Sequence, residues 1–105
     1  EKSYSPISLP NAIGYFDILV KAYPERIGGG FGYKLCNLKR GESIPMKLKP
    51  PRTIHGSQEI RNRWNKLGFI SGGTGIAPFI QIIKTLLLDP LDNTELSLFN
   101  INRSE

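Results

Sequence analysis

One cysteine, one histidine and no apolar run of membrane-spanning length are what this 105-residue chain has least of. A lone Cys36 excludes an internal disulfide framework and a cysteine-based metal cluster, and it suits a reducing compartment. A lone His55, in a polar loop after Pro50-Pro51, reads as a surface histidine, so no bound metal is expected. The longest apolar stretches, residues 18–20 and 82–88, fall far short of the ~20 residues that cross a bilayer, and no signal-peptide pattern opens the chain. Acidic residues are the minority, 9 against 14 Lys and Arg, giving a formal net charge of +5. Such a surface suits anionic ligands or acidic partners, and composition does not choose among them.

What the chain does have is punctuation. Eleven glycines and eight prolines break it into two halves of different rhythm, with no internal repeat. In the first half, residues 14–23 (GYFDILVKAY) alternate and are rich in β-branched and aromatic side chains, which predicts a strand. A breaker loop, Pro24-Glu25-Arg26-Ile27-Gly28-Gly29-Gly30, leads to a short helix with Phe31, Leu35 and Leu38 facing inward. Residues 43–48 predict an edge strand with Ile44, Met46 and Leu48 on one face and Pro45 at its rim. Residues 49–65 are polar and basic and read as a connection whose far end Trp64 anchors. The second half predicts strand (66–71), glycine turn, helix (76–88) and strand (94–101), a βαβ unit that needs neighbours to cover both faces. The helix carries an apolar stripe of Phe79, Ile80, Ile83, Leu86 and Leu87.

The most informative stretch is Gly68-Phe69-Ile70-Ser71-Gly72-Gly73-Thr74-Gly75-Ile76-Ala77-Pro78. An apolar strand pattern runs into three glycines interrupted by one threonine, and an apolar helix pattern leaves them. Glycine lets the backbone approach a ligand, and the helix start aims unpaired N–H groups at it, so a pyrophosphate is the natural occupant. A simple tight connection is the other reading of such a turn. Pro78 suits an early helical position, where no N–H is needed. The glycines before Phe31 form a second potential phosphate site, which suggests two dinucleotides.

Four motifs in order carry a family resemblance. They are Lys2-Ser3-Tyr4-Ser5, Asp17-Ile18-Leu19-Val20-Lys21-Ala22-Tyr23, Gly28-Gly29-Gly30-Phe31-Gly32 and Gly72-Gly73-Thr74-Gly75-Ile76-Ala77-Pro78, and Asn102-Arg103-Ser104-Glu105 follows the last strand. Together the chain resembles the ferredoxin-reductase-type flavoprotein superfamily, in particular its NADH–cytochrome b5 reductase branch, over nearly all but residues 49–65. The fold this implies is the C-terminal half of a Greek-key flavin-binding β barrel (residues 1–52), a linker (53–65) and the first βαβ unit of a nicotinamide-binding α/β domain (66–105). The chain is then expected to be part of a longer protein, with the first barrel strands and the rest of the nicotinamide domain outside it.

The resemblance also implies roles. Tyr4 would lie on the isoalloxazine ring and Ser5 would hydrogen-bond near its reactive nitrogen, as the two catalytic residues, with Lys2 close by. Leu19, Lys21 and Tyr23 would share the strand face along the flavin, since strand side chains alternate. Gly30, Phe31 and Gly32 would offer backbone N–H groups to the FAD pyrophosphate. Gly73, Thr74, Gly75 and Ala77 would face NADH or NADPH. Several positions depart from the family pattern. Lys2 stands for an arginine, Ser3 for a common proline, Gly30 and Gly32 for lysine and serine, and Ala77 for threonine.

The expected function is hydride transfer from a reduced nicotinamide to FAD, then electron delivery to an acidic haem protein such as cytochrome b5. The rival is a non-catalytic nucleotide-binding or regulatory domain that has lost flavin, in keeping with Lys2, Gly30 and Gly32. Nucleic acid is not expected as a partner, because Lys47, Lys49, Arg52, Arg61 and Arg63 are interleaved with no aromatic except Trp64. Arg103 suits a 2′-phosphate and Glu105 a ribose hydroxyl, which leaves NADH and NADPH both open. Attachment to the cytosolic face of an intracellular membrane would need sequence beyond this chain.

Overall fold

The structure, a computed structural model, describes residues 2–23, 27, 30–50 and 61–103. Pro24, Glu25 and Arg26, Gly28 and Gly29, the 51–60 connection with His55, and Ser104 and Glu105 lie outside the described residues, so expectations about them are not taken further. The chain divides into two compact units, Glu1–Lys21 with Arg61–Glu105, and Ala22–Ile60.

The first unit is built on a strand–helix–strand. Strand β1 (Lys66–Gly72) runs parallel to β2 (Glu95–Ile101) in a register from Lys66↔Glu95 to Gly72↔Ile101. Between them come a 3₁₀ turn (Gly73–Ile76) and a helix, here α2 (Ala77–Leu88). Parallel neighbours cannot be joined by a hairpin, and the helix provides the crossover. Both strands and the helix lie within one or two residues of their sequence expectations, and Pro78 sits in the first helical positions. At the other end the chain turns extended at Asp89, just before Pro90.

The core is small and lies between β1 and α2. Phe69 and Ser71 on β1 and Ala77 at the start of α2 are buried, with Leu67 half-buried on the same strand face. The Phe69 and Phe79 rings meet in a tilted arrangement with centroids 5.2 Å apart, within the favoured range for aromatic pairs. Phe79, Ile80, Ile83 and Leu86 are half-buried, whereas Leu87 is exposed and drops out of the expected stripe. The opposite sheet face leaves Ile70, Phe99 and Ile101 in solvent, as expected of a βαβ unit without neighbours.

Two further contacts complete this unit. The opening segment runs antiparallel to residues 16–20, through one bridge between Pro6 and Ile18 and a 2.8 Å bond donated by the Ile7 N–H to the Asp17 carbonyl. The strand expected over 14–23 is thus reduced to a single bridge. Pro6 itself has no N–H to continue a ladder. At the far end of the sheet, Asn62 adopts a left-handed conformation (φ 53°) and its side chain holds the turn before β2. Its Nδ2 donates to the Leu91 carbonyl at 3.0 Å, and its Oδ1 accepts from the Asn93 N–H at 2.6 Å.

The second unit holds one short helix, α1 (Gly30–Cys36), with Leu35 half-buried and Phe31 and Leu38 exposed rather than facing inward. A turn follows, closed by bonds from the Glu42 N–H to the Lys39 carbonyl and from the Lys39 N–H to Glu42 Oε2. The strand expected over 43–48 does not form. Among the described residues it has no pairing partner, Pro45 lacks a donor, and Met46 and Leu48 are exposed. The expected barrel is therefore represented by the Pro6–Ile18 bridge alone among the described residues.

Candidate functional site

The glycine turn begins where β1 stops. Gly73 has φ +52°, a left-handed conformation that side chains disfavour, and it changes the chain from strand to helix in one residue. No side chain caps the 3₁₀ turn or α2. The Ala77 N–H bonds back to the Thr74 carbonyl and Pro78 has no N–H, so the uncapped donors are those that open the 3₁₀ turn, at the positive end of the helix dipole. A Cβ built on Gly72, Gly73 or Gly75 would meet nothing within 4 Å. Donors without caps, facing open space across bare glycine backbone, are what a pyrophosphate requires, and the turn fits one. Thr74 is exposed, while Ala77 is buried.

The opening segment supplies the second group. Tyr4 and Ser5 are half-buried and Lys2 is exposed. On the neighbouring segment Leu19 and Lys21 are exposed while Ile18 and Val20 are half-buried, the alternation expected of extended chain. Tyr4, Lys21 and Thr74 all belong to the first unit. In the second unit Tyr23 is exposed, Gly30 opens α1 with φ +53°, Phe31 is exposed and Gly32 half-buried. A left-handed Gly30 gives a physical reason for glycine where the resembled family carries lysine.

Sequence reasoning passed over the residues that join the two groups in the first unit. Gln81 Nε2, on α2, donates to the Ser8 carbonyl at 2.6 Å, and Lys84 Nζ donates to the Ile7 carbonyl at 3.3 Å. Ser8 is buried, and its Oγ accepts from the Asp17 N–H at 3.1 Å. The signal was a polar Gln81 inside the run Phe79-Ile80-Gln81-Ile82-Ile83, where an amide on an apolar stretch needs a partner.

At the opposite end of the sheet a polar clasp holds the start of β1 to the α2–β2 turn. Arg61 Nε donates to Asp89 Oδ2 at 2.6 Å, the Asn62 N–H donates to Asp92 Oδ2 at 3.0 Å, and Thr94 Oγ1 donates to the Trp64 carbonyl at 2.9 Å. The Arg61 hydrogen bond, then the Leu91 N–H, holds the Asp89 carboxyl below its ordinary range. Asp92 is held low by its hydrogen bonds with Thr94 and then Asn62. Trp64 is half-buried, and the Arg63 guanidinium lies 5.7 Å from its ring centroid. Among the described residues no group of histidine, cysteine and carboxylate side chains could hold a metal, and no helix is long and apolar enough to cross a membrane.

Comparison with known proteins divides the chain in two. An oxidoreductase FAD-binding domain matches residues 1–52 and an oxidoreductase NAD-binding domain matches residues 69–105. An NADH-cytochrome b5 reductase-like protein of Arabidopsis thaliana is 37% identical over 103 residues, covering 98% of this chain and 29% of its own length. NADH-cytochrome b5 reductase 1 of Dictyostelium discoideum is 39% identical over 104 residues, covering 99% of this chain and 34% of its own. The NADH nitrate reductase of Spinacia oleracea is 34% identical over 119 residues, 12% of its length. The chain thus spans about a third or less of the curated relatives it matches.

Proposed function

The chain belongs to the ferredoxin-reductase-type flavoprotein oxidoreductases, an FAD-binding segment followed by an NAD-binding one, and from that premise we propose that it brings a nicotinamide dinucleotide and FAD together for hydride transfer, with electrons passing on to a haem protein such as cytochrome b5. The observation that carries this reading is the glycine turn, with its uncapped N–H groups and open space. When bound, the two cofactors supply the redox chemistry: the nicotinamide gives hydride, and FAD takes it and releases electrons singly.

The chain's own residues bind and orient. Gly73, Thr74 and Gly75 hold the nicotinamide dinucleotide by backbone N–H groups and the Thr74 hydroxyl, and Ala77 shapes the helix start behind them. Gly30, Phe31 and Gly32 present backbone to the FAD pyrophosphate. The Tyr4 ring stacks on the flavin face, and the Ser5 hydroxyl hydrogen-bonds beside the reacting edge. Lys2, Leu19, Lys21 and Tyr23 line the same cofactor, with Lys21 also near the nicotinamide nucleotide. The domain division behind this is 1–52, linker 53–65 and 66–105, with the first segment the later part of a Greek-key barrel. A net charge of +5 suits docking to an acidic haem protein. A reducing compartment fits the exposed free thiol of Cys36.

The departures at Lys2, Gly30 and Gly32 favour the rival, a nucleotide-binding domain without flavin. The visible spectrum of the purified whole protein separates the two. Flavin absorbance supports the oxidoreductase. A colourless protein that still binds nicotinamide dinucleotide supports the rival.

A further inference from the structure

We propose that Gln81 is a positioning residue for the hydride-transfer reaction, holding the Tyr4-Ser5 segment at a fixed distance from the glycine turn. The inference rests on the oxidoreductase reading above. Two side-chain ties join α2 to the opening segment. Gln81 Nε2 reaches the Ser8 carbonyl at 2.6 Å, and Lys84 Nζ reaches the Ile7 carbonyl at 3.3 Å. Gln81 and Lys84 lie three residues apart and so share one helix face. Ile7 and Ser8 are in turn fastened to Asp17, through the Ile7 N–H to the Asp17 carbonyl (2.8 Å) and the Asp17 N–H to Ser8 Oγ (3.1 Å). Two residues after Asp17 comes Leu19, and two before Ile7 comes Ser5.

The chain of bonds therefore runs from α2 to both segments proposed to face the flavin. The same helix starts at the turn proposed to hold the nicotinamide, with Gln81 little more than one turn from Ala77. A rigid helix fixes its first turn relative to Gln81, and Gln81 fixes Ser8. The tie is built for that task. Gln81 is half-buried amid Phe79, Ile80, Ile82 and Ile83, and Ser8 is buried, so the bond is shielded from competing water on one side. Lys84, exposed, adds a second point of attachment, which stops the segment from pivoting about the first. Reacting atoms that must be held about 3–3.5 Å apart are sensitive to a loosened support even when each ligand stays bound.

The test uses the whole flavoprotein that contains this chain, with Q81L, Q81K and K84M. Q81L removes the donor and Q81K restores one. Amide exchange at Ile7 and Asp17, whose bonds lie next to the tie, reads the anchorage of the segment and should quicken by about two- to tenfold in Q81L. At saturating NADH, or NADPH if that is the donor, the single-turnover rate of flavin bleaching should fall by about tenfold or more. FAD content and nicotinamide Kd should not change, and Q81K should recover most of the rate. If Q81L cannot be folded, K84M carries the same readouts with a smaller loss of rate. Three results overturn the proposal: an unchanged bleaching rate, a Kd that weakens in step with the rate, or no recovery in Q81K. A wild type that carries no flavin, or that neither nucleotide bleaches, overturns the underlying oxidoreductase reading instead, and is recognised before any variant is made.

Discussion

Gly75→Ala separates a glycine kept for folding from one kept for a ligand. The new methyl would meet nothing within 4 Å, and Gly75 does not have the positive φ found at Gly73. The substitution should therefore leave the fold intact. By narrowing the unfolded ensemble it should even stabilise the protein by about 0.4–1 kcal/mol. The bound state is different, because the space in front of the turn is where the account puts a pyrophosphate. Forcing a methyl into an occupied contact costs about 1–3 kcal/mol, which is roughly a five- to hundredfold weaker Kd at 1.4 kcal/mol per decade. Thermal melting of the whole protein without nicotinamide gives the first quantity, and isothermal titration with the oxidised dinucleotide gives the second. Unchanged affinity alongside unchanged stability would mean that nothing approaches Gly75, and the turn would then be a plain connection. Gly73→Ala is the contrasting variant, since its φ of +52° adds backbone strain of about 1–2 kcal/mol before any ligand arrives.

Phe69→Ala should destabilise the strand–helix–strand unit by about 3–5 kcal/mol, because it empties the most buried aromatic position and strands Phe79; denaturant unfolding measures this, and a loss under 1 kcal/mol would place the core elsewhere. Asp89 and Asp92 are both held below the ordinary carboxylate value of 3.8, so the clasp's contribution is present above that value and lost as the pH falls through the lowered ones. The acid limb of the melting temperature should accordingly be shallower in a D89N/D92N variant, and identical limbs would remove the clasp from the account. Electron transfer to cytochrome b5 should slow as salt is raised, since a basic protein meeting an acidic partner is steered by charge; a rate independent of ionic strength would contradict that docking.

How far the sequence could be read depended on whether a feature was local. The run from Lys66 to Ile101 announced itself through periodicity and glycine punctuation, and its strands and helix lie where the pattern put them. The turn was legible for the same reason, since Gly73 needs its left-handed conformation within a single residue. Barrel strands are different, because alternation at residues 14–23 states only that a strand is possible, and pairing decides. Here one bridge to Pro6 forms, and residues 43–48 find no partner among the described residues. The inward face expected of α1 also failed. Spacing aligned Phe31, Leu35 and Leu38, but spacing does not supply a surface to cover them. Bonds between distant side chains and backbone were invisible. Asn62 meets Leu91 and Asn93 some thirty residues away, and Gln81 meets Ser8 across 73 residues. A polar residue in an apolar stretch marks such a bond without naming its partner.

Hydride transfer requires the two cofactors to meet across the segments that Gln81 joins. The most direct measurement is anaerobic mixing of the whole protein with reduced nicotinamide dinucleotide, followed at the flavin absorbance maximum. Bleaching in one fast phase, slowed when the transferable hydrogen at nicotinamide C4 is deuterium, is the predicted result. A flavin that stays oxidised with both NADH and NADPH contradicts it.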